Sequence, residues 1–331
     1  MQNPMEQPHI QLAIMSRWYV VSRAIHTVAQ LGVANHMADT PVASEAIARL
    51  VNANPQMLDR LLRFLSAYGI FSRHGNSYAL TALSKPLRDD APNSVRDVIR
   101  MVDDSWWQAF SQLDKGLQQG ESAFSLQHHE DFFSFLANHP EKQNNFDRGM
   151  AKLSTFDDSA VSKAVDFSQC ETIVDMGGGR GGLSKALAQH YPSLQVTLFD
   201  SPAVINQLSA SDFPAQVTLQ AGNFFEAIPQ AQAYIFKGVL HDFSDELMHK
   251  ILSNCAARMP ADARLFIAEQ VMPDDDKPHP NKTMDIVMMA LLNGRQRTLT
   301  EWQQIIEPSG FQFKAAYVTD TLFTVMEFLR A

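Results

Sequence analysis

Ile173-Val-Asp-Met-Gly-Gly-Gly-Arg-Gly-Gly-Leu183 decides how the second half of this chain is read. An apolar strand ending at Asp175 or Met176 runs into a glycine turn that opens a helix. Gly177, Gly179 and Gly182 satisfy G-x-G-x-x-G, a turn that lets a ligand lie against backbone above a parallel sheet. The pattern alone does not choose the ligand. Around it, β-rich runs alternate with amphipathic stretches from Thr172 to Phe328. Strands are predicted at Thr172–Met176, Gln195–Phe199, Val217–Gln220, Tyr234–Phe236 and Leu265–Ala268. Helices over Gly182–His190, Pro202–Ser209 and Asp245–Met259 lie between several of them. That alternation belongs to an α/β fold, a doubly wound, mostly parallel Rossmann-like sheet. Phe311–Val318 and Leu322–Phe328 are separated only by Thr319-Asp-Thr321, too short for a parallel crossover, so the last strand must be antiparallel.

Upstream the texture changes. Residues 9–165 are almost entirely helix-like, with apolar spacing such as Leu58, Leu61, Leu62 and Leu65. Ile10 to His36 reads as a helix or helix pair, and Ser44-Glu-Ala-Ile-Ala-Arg-Leu50 as a short helix opening on a capping serine. Pro55 to Tyr68 is a longer helix with proline in its first turn. The turn His74-Gly-Asn-Ser77 then separates two short β runs. Three helices and a hairpin make a winged helix. The expected organisation is a winged-helix domain over 1–93, long connecting helices over 94–165 and a ligand-binding α/β domain over 166–331.

A chain of 331 residues, 45% apolar and 19% charged, is an ordinary globular composition. Its formal charge of −9 speaks against nucleic acid or an anionic membrane as partner. The winged helix keeps a DNA-binding regulator in view, but Arg60 and Arg63 share the candidate recognition helix with Asp59, and little else there neutralises phosphate. No apolar run is long enough to cross a bilayer. The opening Met1-Gln-Asn-Pro-Met-Glu6 has no secretion signal, so a cytoplasmic protein is expected. Cys170 and Cys255 stand far apart, without C-x-x-C, so neither a disulfide scaffold nor a thiolate metal site is expected.

The residues after the glycine turn narrow the ligand. Asp200 closes the second strand, where a carboxylate can accept from two ribose hydroxyls. An NAD enzyme would place an acid there too. Asp175, just before the first glycine, discriminates: a carboxylate beside the turn repels a pyrophosphate and attracts the cationic groups of S-adenosylmethionine. Gly222-Asn-Phe-Phe225 offers Asn223 and Phe224 to an adenine ring at the next strand end.

Val174-Asp-Met-Gly-Gly-Gly-Arg-Gly181, Phe199-Asp-Ser-Pro202, Gly222-Asn-Phe-Phe225 and Lys237-Gly-Val-Leu-His-Asp-Phe-Ser-Asp-Glu246 follow one another in order. Together with Leu31-Gly-Val-Ala-Asn-His36, Leu58-Asp-Arg-Leu-Leu-Arg-Phe-Leu65 and Phe146-Asp-Arg-Gly-Met150, they make the chain resemble S-adenosylmethionine-dependent O-methyltransferases of the caffeate and acetylserotonin type. The resemblance covers nearly the whole chain. It implies a metal-independent homodimer, joined through the winged helix, that methylates a small hydroxylated, aromatic acceptor. Carried over by position, Gly177 would approach the methionine part, with Gly179 beside it. Asp200 would hold the ribose, Asn223 and Phe224 the adenine, and Lys237 and Phe243 would complete the shell. Asn223 stands where the family usually has Asp, and Phe243 where it usually has Trp.

Methyl transfer from a sulfonium needs a nucleophile placed in line and relieved of its proton. His241, just after the fourth strand, is the candidate base. A phenol near pKa 10 and an imidazole near 6.5 are mismatched by roughly 3.5 units, or about 5 kcal/mol for full proton transfer. Glu269, in Phe266-Ile-Ala-Glu-Gln-Val-Met-Pro273, matches the family carboxylate that flanks this histidine. The position of a second flanking carboxylate is Gln296, in Gly294-Arg-Gln-Arg-Thr298, which can hydrogen-bond but carries no charge. Asp242 would orient substrate or helix. Met150, Met288 and Trp107 are candidates for the acceptor pocket, although core packing would explain them equally. A relative with shifted chemistry, N-methylating or non-methylating, is the alternative that Asn223 and Gln296 keep open.

Overall fold

The computed structural model describes residues 7–292 and 294–331. The Met1–Glu6 stretch read for a leader lies outside them. The chain divides into two compact units, one holding the chain up to Asp103 with Pro140–Lys152, the other Asp104–His139 with Leu153–Ala331.

In the first unit, helices Trp18–Leu31, Ser44–Leu50 and Pro55–Ala67 accompany a small antiparallel sheet. That sheet joins β1 (Val42–Ala43), β2 (Phe71–His74) and β3 (Ser77–Leu80) in the order β1-β3-β2. This is the winged helix. Pro55 sits in the first turn, and the Asn54 side chain accepts from Met57 N at 3.1 Å. Leu58, Leu62 and Leu65 then face a core with Val28, Ile47, Phe71 and Tyr78. Ser44 is not the cap: Ala43 holds that position without a side-chain bond, and Ser44 is the first helical residue, its N–H donating to Asn76 O. Helix Pro8–Met15 buries none of its residues.

The second unit carries a seven-stranded sheet. Its strands are β4 (Thr172–Met176), β5 (Gln195–Asp200), β6 (Val217–Ala221), β7 (Ala233–Lys237), β8 (Arg264–Glu269), β9 (Phe311–Val318) and β10 (Thr324–Arg330). The order is β6-β5-β4-β7-β8-β10-β9, parallel from β6 to β8, with β10 antiparallel to both β8 and β9. Strands buried on both faces read as continuous apolar runs. Val174, Phe236, Met248, Ile251 and Trp302 pack one face, and Ile173, Leu183, Leu187, Val196 and Ile235 the other. The strand order reverses at β4, whose neighbours are β5 and β7, which opens a crevice at their carboxyl ends.

Two stretches differ from the sequence-based expectation. Pro202–Ser209 is helical only to Ile205. The segment before Pro140 is not built of long helices but of five short ones: Arg96–Met101, Asp104–Phe110, Leu113–Gln119, Ala123–His128 and Phe132–Asn138. The breaks have local causes. Gly120 and His129 adopt positive φ at two helix ends, and Ser122 and Asp131 cap the helices that follow. Only Pro140–Ala164 is long. No helix among the described residues is long and apolar enough to cross a membrane.

Candidate active site

A cavity of about 490 Å³ opens at the crevice. Strand ends supply Gly177, Asp200, Gly238, Val239 and Asp242; Phe224 and Phe243 stand edge to face, ring centres 5.9 Å apart. Ser122, Ser125, Asp131, Phe132 and Phe133 come from the short helices, and Leu291 and Leu292 from the end of helix Pro280–Leu291. These last two groups escaped sequence reasoning, because nothing in a helical stretch tells which face will meet a strand end.

The glycine turn is held from within. Asp200 Oδ2 accepts from Gly179 N at 2.9 Å and Oδ1 from Ser201 N. Asp175 lies fully buried beneath the turn, where its Oδ2 accepts from the Ser184 hydroxyl at 2.7 Å. Burial pushes its pKa up to about 6 despite that bond. It does not line the cavity. Asp158 packs against the first residue of the helix that follows the turn: a Cβ at Gly182 would run into its Oδ2. Asp158 is buried, and its other oxygen pairs with Lys237 Nζ at 2.8 Å.

His241 follows β7 in a single 3₁₀ turn, and Glu269 at the end of β8 holds that turn. Glu269 Oε1 accepts from three successive backbone N–H groups, Val239, Leu240 and His241, at 3.0–3.3 Å. Its Oε2 lies 3.1 Å from His241 Nδ1. On the other side of the ring, Nε2 is 3.3 Å from Asp242 Oδ1. Burial alone would lower the pKa of His241, but the Glu269 carboxylate, helped by Asp242, holds it up at about 9. Burial likewise raises Asp242 to about 6 against the pull of His241. The ring thus lies between two carboxylates, with Nδ1 facing Glu269 and Nε2 facing Asp242.

Gln296 completes the shell, with Nε2 3.0 Å from Nδ1. An Nδ1 that donates to Glu269 cannot also accept from this amide. Neither Gln296 Oε1 nor Glu269 Oε2 has a hydrogen-bond partner. With the amide turned by half, both oxygens would face a protonated Nδ1, which leaves the lone pair of a neutral ring on Nε2. Close approach holds the strap in place: Arg295 N donates to His241 O, and a Cβ at Gly294 would collide with that carbonyl.

The remaining candidates scatter. Asn223 is exposed and spends its side chain on the local turn, accepting from Phe225 N and donating to Glu226. Lys237 is tied to Asp158. Trp107 is half-buried in helix Asp104–Phe110, and Met288 is buried in helix Pro280–Leu291; neither lines the cavity. Met150 falls in the first unit and is 40% exposed there. Among the described residues, no group of three or more His, Cys, Asp or Glu is placed to hold a metal ion.

Comparison with known proteins agrees with this architecture. The family model of the O-methyltransferase domain matches residues 110–312, and that of the O-methyltransferase dimerisation domain residues 14–89. The phenazine O-methyltransferase PhzM of Lysobacter antibioticus is 30% identical over 93% of this chain and 92% of its own. The mitomycin biosynthesis 6-O-methyltransferase of Streptomyces lavendulae is 32% identical over 88% of this chain and 85% of its own. The crystal structure of CalO1, a methyltransferase in calicheamicin biosynthesis in its S-adenosylhomocysteine-bound form, superposes with a TM-score of 0.89 at 26% identity over all of both chains. The matches of both family models, together with a doubly wound sheet that ends in a reversed C-terminal hairpin and a winged helix earlier in the chain, thus place this chain in the S-adenosylmethionine-dependent O-methyltransferase family.

Proposed function

We propose that the cavity binds S-adenosylmethionine and a small hydroxylated aromatic acceptor, and that His241 removes the acceptor's proton as the methyl is transferred. The observation that carries this reading is His241, held by Glu269 on Nδ1 and facing Asp242, a residue of the cavity wall, through Nε2. The residues present fit the cofactor. Asp200 offers a carboxylate oxygen at the end of β5 for ribose hydroxyls, Phe224 and Phe243 offer aromatic walls for a purine, and Gly177 leaves backbone open to the amino-acid end. Bound there, the cofactor supplies an activated methyl and a positive charge.

The chain's own residues do the rest. The Glu269 carboxylate raises the basicity of the ring and so narrows its mismatch with a phenol. The same elevation keeps the ring protonated at neutral pH, so the base form must be recovered on assembly of the complex; a cation beside the ring favours that loss. The acceptor hydroxyl then takes the place of Asp242 at Nε2, while Glu269 and the turned Gln296 amide hold Nδ1–H. Positioning supplies much of the remaining rate. The relatives' names, a phenazine and a mitomycin enzyme, support an aromatic secondary metabolite as acceptor.

Calorimetry with S-adenosylhomocysteine, followed by a labelled-methyl assay on hydroxylated aromatics, tests the reading. Asp200→Ala is expected to weaken cofactor binding about 10- to 100-fold, the worth of lost charge-assisted hydrogen bonds. Unchanged affinity in a folded variant would remove the cofactor from this crevice.

We also propose a homodimer formed through the first unit. Leu12, Met15, Trp18 and Tyr19 are 49–69% exposed on consecutive helices, the first of which buries none of its residues, within or beside the matched dimerisation domain. Such a patch is costly to leave in water. Trp18→Glu combined with Tyr19→Glu should convert a dimer to a monomer in light scattering at micromolar concentration. A wild-type monomer would overturn the proposal.

A further inference from the structure

We propose that the acceptor methylated in this cavity carries no carboxylate or other anionic group and is a neutral or cationic hydroxylated aromatic; this rests on the transferase reading above. The charged lining of the cavity is of one sign. Asp131, Asp200 and Asp242 come from three separate elements, and none of the other eleven lining residues is Lys, Arg or His. Four of those eleven are Phe132, Phe133, Phe224 and Phe243, whose ring faces attract cations and give an anion nothing.

Asp131 is held in the charged state by its own hydrogen bonds. Asp131 caps helix Phe132–Asn138, its Oδ1 accepting from Phe133 N and Ser134 N and its Oδ2 from the Ser134 hydroxyl. Those bonds keep it below the usual carboxylate range. Asp242 is ionised above about pH 6. Lys237 pairs with Asp158, Arg297 with Asp245, and the His241 ring faces Glu269. An incoming carboxylate would meet no cationic side chain among the lining residues, and a cofactor with about one net positive charge leaves most of the field standing. Neutral polar contact is on offer instead. Ser122 donates to the Ser125 hydroxyl, which leaves the Ser125 proton for an acceptor oxygen or nitrogen.

The test is a charge series. A catechol, a naphthalenediol and a hydroxyphenazine are each prepared as carboxylate, methyl ester and aminomethyl derivative, and kcat/KM is measured with S-adenosylmethionine at pH 8 in low salt. Ester and amine should exceed the carboxylate by at least ~30-fold on the same ring, the order expected for like charges brought together. The gap should narrow in 0.5 M NaCl, chiefly through Asp131, the most exposed of the three. Asp131→Asn, which can still cap the helix, should recover several-fold for the carboxylate alone. A carboxylate turned over as well as its ester overturns the proposal. A second measurement needs no acceptor: Asp131→Asn should weaken S-adenosylmethionine more than the uncharged-sulfur product, and equal effects on both overturn the proposal as well. Failure to bind either nucleoside would instead overturn the transferase reading.

Discussion

Replacing His241 by alanine is expected to lower kcat by about 10²–10⁴-fold, the usual worth of a positioned proton acceptor, with cofactor affinity changed by no more than about twofold. The ring contributes its side chain to Glu269, Gln296 and Asp242, whereas the cavity surfaces offered to the nucleoside are Asp200, Phe224, Phe243 and glycine backbone. The residual rate should climb with pH until the acceptor's own hydroxyl ionises, near 10 for a simple phenol, because phenolate needs no base. Steady-state kinetics with a binding isotherm checks both halves. Full turnover in a folded variant would remove His241 from the base role.

Glu269→Gln should be nearly as damaging, by a different route. The amide oxygen can still accept from the Val239, Leu240 and His241 N–H groups, so the turn survives. Its NH₂ then faces Nδ1, which must accept, and the proton moves to Nε2, where the lone pair is needed. The same inversion of tautomer costs a serine-protease triad ~10⁴ in kcat. The charge effect has a definite sign. Glu269 is the largest influence raising His241, so its loss moves the ascending limb of the kcat/KM profile from about 9 towards the ordinary 6.5. Asp242 keeps part of the elevation, and Gln296 adds to it. A limb that stays put, or moves up, would show that another group titrates.

Much of this site was legible before any coordinates, and the reasons are local. Thr172–Met176 is apolar and β-rich throughout, its neighbour turn is almost all glycine, and Lys237–Glu246 packs a histidine and an acid directly behind a strand end. Patterns of that kind are fixed by backbone geometry and by short sequence separation. Asp158 was not legible, since it sits on a helix and meets Gly182 only through tertiary folding. Asp175, expected to attract the cationic groups of the cofactor, lies buried beneath the turn and outside the cavity lining, because a residue on a buried strand points to whichever face the sheet dictates. Ser125, Asp131 and Phe133 belong to helices too short for their periodicity to declare a face. Gln296 could be placed by position, but not the contest at Nδ1, which depends on the direction of one amide.

β10, last in chain order, lies inside the sheet between β8 and β9. A chain emerging from the ribosome can therefore zip β6 to β8 early, yet the outer face of β8 stays open until Thr324–Arg330 has been made. Its bare N–H and C=O groups form a template for stray strands during that interval. β9 has no partner of its own until β10 arrives, so the hairpin must add as one piece. Truncation before Thr324 would strip two strands at once, and such nascent chains should be the ones that chaperones hold.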